Sequence, residues 1–353
     1  MDPPPTTVLL PTVRWTDACD EVATQLRASD ELLVICDTAT DPVAARRAES
    51  DALPDGVRIL LAGEPTGCSG KANAIATGME AAENERIVWT DDDFHHPPDW
   101  LATLQADYER QGPTTERPMF IGLDPLARLF EPAYAIGGTG AVAAGEIVWG
   151  GAVIFERADL QIPADFGSHT RGTEADATSI PGDADATSIP GDRSTASLGT
   201  DSSTNPEAAF LRDLRRTISD DGTLSAYLSV TPADRTRSVS AGGSPRESLE
   251  RFVRFFWIVR FHAPRAAAAS IALALGCVIV CLLAPVIGVT LITGIGGAVY
   301  ARFGIRRATF LLTAPSALVA PLVIAYAVTR RTFVWGGRRY RWRSLFDVTI
   351  VDA

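Results

Sequence analysis

The sequence is almost without lysine. Lys71 is the only one in 353 residues and the other 31 basic residues are arginine, so a lysine here reads as placed for a contact. Cysteine is scarce too. The five thiols, Cys19, Cys36, Cys68, Cys277 and Cys281, are odd in number and scattered. That excludes a disulfide framework, matches no zinc-site spacing, and points to a reducing compartment. The opening MDPPPTT has neither a basic nor an apolar stretch, so no secretory leader is expected and the polar part should stay in the cytoplasm. Acids nearly vanish past Glu250. From Arg251 onward thirteen arginines face only Asp347 and Asp352, a net +11, whereas residues 1–250 carry 19 basic and 41 acidic groups, a net −22. So acidic a surface argues against general nucleic-acid binding and suits a high-salt cytoplasm, where carboxylates hold water.

Charge of either sign is missing from Ala266 to Val299, thirty-four residues, against the roughly 20 needed to cross a bilayer. Pro285 and Gly288 near the middle predict a hairpin or a kinked helix. Ala308 to Val328 is a second uncharged run of spanning length, with Pro315 and Pro321 inside it. A multi-pass membrane protein is expected, with two or three passes. Arg302, Arg306 and Arg307 lie before the second run, and Arg330, Arg331 and the RRYRWR stretch after it. The positive-inside tendency places both clusters in the cytoplasm, which one crossing cannot satisfy. Either the second run is re-entrant or one cluster lies outside.

Elsewhere there is a regular alternation. VLLPT (Val8 to Thr12), ELLVICD (Glu31 to Asp37), VRILLAG (Val57 to Gly63) and RIVWTDD (Arg86 to Asp92) read as buried strands. Helical patterns run over Asp17 to Ala28, Lys71 to Ala82 and Asp99 to Arg110. This spacing predicts an α/β domain with a mostly parallel sheet, whose ligands gather at the carboxyl ends of the strands, where Asp37 and Asp91 stand. Beyond it come a strand, Met119 to Leu123, and two short strand pieces in EIVWGGAVIFER broken at Gly150-Gly151. ADATSIPGD then occurs twice in tandem, at Ala175 to Asp183 and Ala184 to Asp192. About 164–205 is too polar to bury a core and reads as a disordered insertion. A helix follows from Glu207 to Arg216. Ser244 and Pro245 open an amphipathic, arginine-rich helix suited to an interface.

Asp91 and Asp93, one residue apart at a strand end, can share Mg²⁺ or Mn²⁺ while leaving positions for diphosphate oxygens. Taken alone, three aspartates in an acidic protein read equally well as an acidic turn. Ser219-Asp220-Asp221 alone reads as a helix N-cap with an acidic first turn. His95 and His96 read more readily as exposed loop residues than as metal ligands, and Trp257 as an interfacial anchor.

The pattern as a whole resembles the family 2 glycosyltransferases with the GT-A fold. VLLPT, VICD, GCSGKANAIATGMEAA and IVWTDDDFHHPPDWL carry the resemblance, which covers about residues 7–262 apart from the insertion. It implies a Rossmann-like mixed sheet and a nucleotide contact at Asp37. Lys71 and Asn73 are placed near the nucleotide, and the metal and donor diphosphate at Asp91 and Asp93. SDDGTLS (Ser219 to Ser225) is similar to the later acidic motif of the family, which makes Asp221 the general base and Asp220 its neighbour. Arg251-Phe-Val-Arg254-Phe255 is similar to the (Q/R)-x-x-R-W motif with Phe in place of Trp. Arg251 and Arg254 then clamp the leaving diphosphate, and Phe255, Trp149, Gly150 and Gly151 fall on the acceptor side. Apolar spans followed by WGGRRY (Trp335 to Tyr340) resemble the ceramide-glucosyltransferase-like branch.

The resulting expectation is a GT-A domain over 1–243, an interfacial helix over 244–264, transmembrane helices over 265–331 and a tail over 332–353. Its activity would be inverting transfer of a sugar from a nucleotide-sugar donor to a membrane lipid acceptor, at the cytoplasmic face of the cell membrane. A polyprenyl-phosphate or polysaccharide-forming transferase, and a non-catalytic nucleotide-sugar-binding membrane protein, are the alternatives.

Overall fold

The computed structural model describes residues 3–48, 53–163 and 205–351. The tandem repeat lies outside the described residues. A seven-stranded sheet carries the fold, in the order β3-β2-β1-β4-β6-β5-β7. Its strands are β1 (Thr6–Pro11), β2 (Glu31–Cys36), β3 (Val57–Leu61), β4 (Arg86–Thr90), β5 (Thr114–Gly122), β6 (Ala152–Glu156) and β7 (Thr231–Ala241). Pairs β1–β2, β2–β3, β1–β4 and β5–β7 are parallel, and β6 runs antiparallel to β4 and β5. The sheet is therefore mixed, as expected, with one reversed strand.

Its first strands are apolar at nearly every position because both faces are covered. Val8, Leu10, Leu32, Val34 and Val88 point to one core. Leu9, Leu33, Ile35, Ile87 and Trp89 point to the other, where helix α2 (Gly70–Ala81) packs. Helix α1 (Asp17–Ala23) ends earlier than the expected Ala28. Helices α3 (Trp100–Gln111) and α4 (Pro125–Tyr134) follow, and α4 runs on through a π-turn, Ala135–Thr139, and a last turn, Gly140–Ala143.

Residues 146–151 form no strand, contrary to the reading of EIVWGG. Their backbone donors are spent on side chains: the N–H groups of Val148, Trp149 and Gly150 bond to Ser225, Thr115 and Asp221. The ladder begins at Ala152, where those partners run out.

After the insertion come α5 (Pro206–Leu214), α6 (Asp220–Tyr227) and α7 (Pro245–His262). The long uncharged run is a helical hairpin, α8 (Pro264–Leu283) and α9 (Pro285–Arg302), broken where Pro285 cannot continue the ladder. The second run is a 3₁₀ segment, Ala308–Leu312, leading into α10 (Thr313–Thr329). Three helices, Pro264–Leu283, Pro285–Arg302 and Ala308–Thr329, are long and apolar enough to cross a membrane. The final stretch is a three-stranded antiparallel sheet of β8 (Thr332–Trp335), β9 (Arg338–Ser344) and β10 (Asp347–Val351). Phe333, Tyr340 and Trp342 pack it into one cluster with Val253 of α7 and Ala327 of α10.

Candidate active site

A cavity of about 400 Å³ opens at the carboxyl edge of the main sheet. Asp37 follows β2, Asp91 and Asp93 follow β4, and Lys71 sits in the first turn of α2, which Ser69 caps by accepting the Ala72 N–H at 3.1 Å. Across from them the first turn of α6 presents Asp220 and Asp221, capped by Ser219, which accepts the Gly222 N–H at 3.0 Å. The N-cap reading of this motif is therefore correct as local structure, and it is also what aims the two carboxylates at the cavity. Arg251, Arg254 and Phe255 of α7 and Trp149 complete the set of expected residues on its wall.

Lys71 is the hub of the acidic side. Its Nζ lies 2.7 Å from Asp91 Oδ1 and 2.9 Å from Asp220 Oδ2. Burial works against the ammonium, but Asp220, Asp91 and Asp221 outweigh it and hold its pKa well above the ordinary lysine range. The carboxylates crowd one another. Burial and the neighbouring Asp91 push Asp93 up to about 7, against the pull of Lys71 and Arg251. Burial and Asp220 push Asp221 up to about 7, against Lys71. Burial likewise raises Asp91, with Lys71 opposing and Asp220 adding. Strained protonation equilibria packed into one cleft are the physical mark of a reactive or ion-binding site.

The middle aspartate of the triplet differs from its neighbours. Asp92 Oδ2 accepts a 2.5 Å bond from Thr12 Oγ1, which turns it toward β1. Asp92 lines the cavity as well but has one oxygen engaged by Thr12, which leaves Asp91 and Asp93 as the hard oxygen donors expected from the sequence. Among the described residues no group of three or more His, Cys, Asp or Glu could hold a metal. Two carboxylates suit Mg²⁺ or Mn²⁺ only if water and a phosphate-bearing ligand fill the other positions, the usual arrangement for Mg²⁺ at substrate phosphates. The donor set fits a substrate-bridged divalent cation.

Three expected residues are not on the cavity wall. Asn73 bonds through Nδ2 to the carbonyls of Ala62 and Gly63 and through Oδ1 to Arg215, tying α2 to the loop after β3. Gly151 adjoins the Trp149 ring. Gly150 lies behind the acids: its N–H donates to Asp221 Oδ1 at 2.8 Å, and a Cβ there would sit 2.5 Å from that oxygen. Only glycine lets the backbone approach this closely. Neither histidine lines the cavity. His95 is exposed on Glu21, while His96 is buried on Thr90 at 2.7 Å, where desolvation lowers its pKa to about 4.

The C-terminal sheet supplies wall residues that sequence reasoning left in a tail. Arg338 pairs with Asp37, Tyr340 OH accepts the Gly70 N–H at 3.3 Å, and the Trp335 ring lies 4.1 Å from the Arg254 guanidinium. The WGGRRY motif was the available signal; nothing in it shows that the chain returns to Asp37. Among the described residues Arg254 has no carboxylate within ion-pair distance, and its Nε is buried without a hydrogen-bond partner. Burial and Arg251 draw its pKa down to about 9, which still leaves a cation at neutral pH.

Comparison with known proteins gives the following. No curated protein sequence matches the chain. Among solved structures, glucosyl-3-phosphoglycerate synthase from Mycobacterium tuberculosis with Mn²⁺, UDP-glucose and glycerol 3-phosphate is 19% identical, at a TM-score of 0.31 over 45% of this chain and 58% of that one. A mycobacterial protein is 18% identical, at 0.31 over 46% of this chain and 55% of that one. The chain thus spans little more than half the length of these structures. S. aureus TarS 1-349 in complex with UDP-GlcNAc is 12% identical, at 0.35 over 98% of this chain and 99% of that one. Residues 16–118, which contain Asp37, Lys71, Asp91 and Asp93, match the model of the family described as Glycosyl transferase family 2.

Proposed function

We propose that the protein is a membrane-anchored inverting glycosyltransferase, moving a sugar from a nucleotide-sugar donor to a lipid acceptor at the cytoplasmic membrane face. The observation that carries this reading is one cavity lined both by Asp91, Asp93 and Asp221 and by Arg251 and Arg254, which have no ion-pair partner among the described residues. An anionic donor diphosphate with a divalent cation answers both walls at once. The family match over residues 16–118 supports the donor half of the reading.

Asp91 and Asp93 are the residues that would hold the cation, which when bound supplies positive charge to the donor diphosphate. Asp221 accepts the proton of the acceptor hydroxyl as that oxygen attacks the anomeric carbon. The bond from that carbon to the diphosphate breaks, and its electron pair leaves with the nucleoside diphosphate. A base near pH 7 is well poised for this transfer, and the Gly150 N–H orients it. Arg251 and Arg254 meet charge as it builds on the leaving group. Asp220, paired with Lys71, keeps a second negative charge beside the base. Phe255 and Trp149 offer flat apolar surface to the acceptor side, and Asp37 a carboxylate to the nucleotide. The three apolar helices beyond α7 and the WGGRRY sheet support a lipid acceptor and the ceramide-glucosyltransferase-like branch.

Release of nucleoside diphosphate from a panel of nucleotide sugars, with Mg²⁺ or Mn²⁺ and membrane lipids, tests the reading. Cation-dependent release from at least one donor is expected, lost in Asp91→Ala and Asp93→Ala. Release that survives both substitutions would refute the assigned roles.

A further inference from the structure

The apolar helices pose a geometric question, because α10 is attached to the catalytic domain at both ends. Just before it, Arg307 Nε donates to Glu131 at 2.7 Å and Thr309 bonds to the same carboxylate, which is fully buried on α4. Midway, Val319 and Val323 pack on Phe130 and Tyr134 of α4. Just after it, the Arg330 carbonyl accepts the Trp257 Nε1–H of α7 at 2.8 Å, and the Val334 N–H donates to Glu250 of α7 at 3.0 Å. Helices α4 and α7 are themselves locked together. Ser248 bonds to Asp124 at 2.6 Å, and the Phe130 and Phe252 rings lie 5.2 Å apart. A crossing by α10 would put its two anchorages on opposite sides of a bilayer, which these contacts between α4 and α7 forbid.

The hairpin differs. Leu282, Leu283 and Val286 at its tip are 75–82% exposed, more than any other large apolar side chains in the described residues. Its helices are 20 and 18 residues long, roughly 30 and 27 Å at 1.5 Å per residue. Both roots carry exposed arginines, Arg265 and Arg302. From Gly276 to Val289 there is no charged residue, Trp or Tyr, so the turn lacks the groups that anchor a chain at a second interface.

Taking the apolar helices as membrane-inserted, as proposed above, we infer that the protein enters the bilayer from one face only. The α8–α9 hairpin dips into the hydrocarbon and returns, and α10 lies along the membrane side of the catalytic domain without crossing. Arg302 and Arg306 before α10 and Arg330 and Arg331 after it then share one side with the active site. All four are exposed to solvent, a basic rim suited to anionic lipid headgroups. Both arginine clusters meet the positive-inside tendency, and the C-terminal sheet reaches Asp37 without passing the membrane.

Single cysteines at Arg306, Arg331, Ala284 and, as a soluble-domain reporter, Asp55 test this in sealed vesicles of phosphatidylcholine and phosphatidylglycerol. The native thiols remain, and the parent chain provides the background. A membrane-impermeant maleimide added outside should label Arg306→Cys and Arg331→Cys to the same fraction as Asp55→Cys. Ala284→Cys should stay unlabelled until detergent is added. Complementary fractions at 306 and 331 would overturn the inference, as would Ala284→Cys labelling to the complement of Asp55→Cys. Recovery of the parent chain in the supernatant after a carbonate wash would instead overturn the membrane reading, and the inference with it. Should a variant fail to fold, trypsin added outside the same vesicles reads the same sides on the unaltered chain, through cleavage after Arg306 and Arg331. Protection of one site where the other is cut would contradict the single-face arrangement.

Discussion

On the sheet side of the cavity, burial and neighbouring carboxylates raise the pKa values of Asp91, Asp93 and Asp221, Asp37 and Asp220 line the same wall, and Lys71 is the one lysine among them. On the side built from α7 and the C-terminal sheet, Arg251 and Arg254 have no ion-pair partner among the described residues, and aromatic rings flank Arg254. The two walls reproduce locally the split between an acidic first 250 residues and an arginine-rich remainder. They meet directly at Arg338 and Asp37. The contrast explains why Lys71 is a lysine. A compact ammonium fits between two carboxylates, whereas a planar guanidinium suits stacking on rings and forked contact with phosphate. Each wall alone is electrostatically costly, and a ligand carrying both a cation and an anion relieves the two together.

Removing the proposed base should break this contrast most severely. Asp221→Asn is expected to lower kcat by about 10²- to 10⁴-fold. It should also stabilise the fold. Asp221 has its pKa raised from 3.8 to about 7 in the native state, so at pH 8 the folded chain bears a charge that the unfolded chain carries more easily. Loss of that charge should raise the Tm by about 2–5 °C at pH 8. The gain should fade as pH falls from about 7 toward 4, where Asp221 is protonated in the fold. In the parent enzyme kcat/KM should drop about tenfold per unit below pH 7 as the base is lost. Thermal melts and pH–rate profiles check both limbs.

A change on the arginine wall should cost less. Arg254→Leu is expected to reduce kcat/KM by about 10- to 100-fold, the scale of one charge-assisted contact. Arg254→Lys should recover only part of it, because an ammonium cannot stack between Phe255 and Trp335. Full recovery by lysine would show that only charge matters there. The smallest effect is expected from Trp335→Ala, which removes the ring 4.1 Å from Arg254. A loss of about 3- to 10-fold in kcat/KM matches one partly buried cation–π contact. No change would return the C-terminal sheet to a purely packing role.

Legibility in the sequence followed the physics of each element. Strands β1, β2 and β4 are buried on both faces, so their apolar runs stand out. Strand β7 gave no such signal, because it pairs with β5 through charge. Arg235 and Arg237 on β7 bond at 2.7 and 2.6 Å to Glu116, which is wholly buried on β5. Buried charged pairs imitate surface in a sequence, so only Met119 to Leu123 reads as strand where β5 begins at Thr114. Lys71 stands out by its rarity, whereas Asp221 and Arg254 are marked only by the resemblance of their motifs to those of the family 2 glycosyltransferases. The supporting N–H of Gly150, and the return of Arg338 to a carboxylate 301 positions earlier, depend on tertiary closure that no local pattern records.

The claim that one cavity joins a nucleotide-sugar to a membrane lipid is tested most directly by following the sugar. Vesicles carrying the protein are incubated with each radiolabelled nucleotide sugar and Mn²⁺ or Mg²⁺, and the products are partitioned between organic and aqueous phases. The account predicts label in the extracted lipid for at least one donor, lost on chelation of the cation and in Asp221→Asn. Label confined to water-soluble acceptors, or lipid labelling that persists in Asp221→Asn, would contradict it.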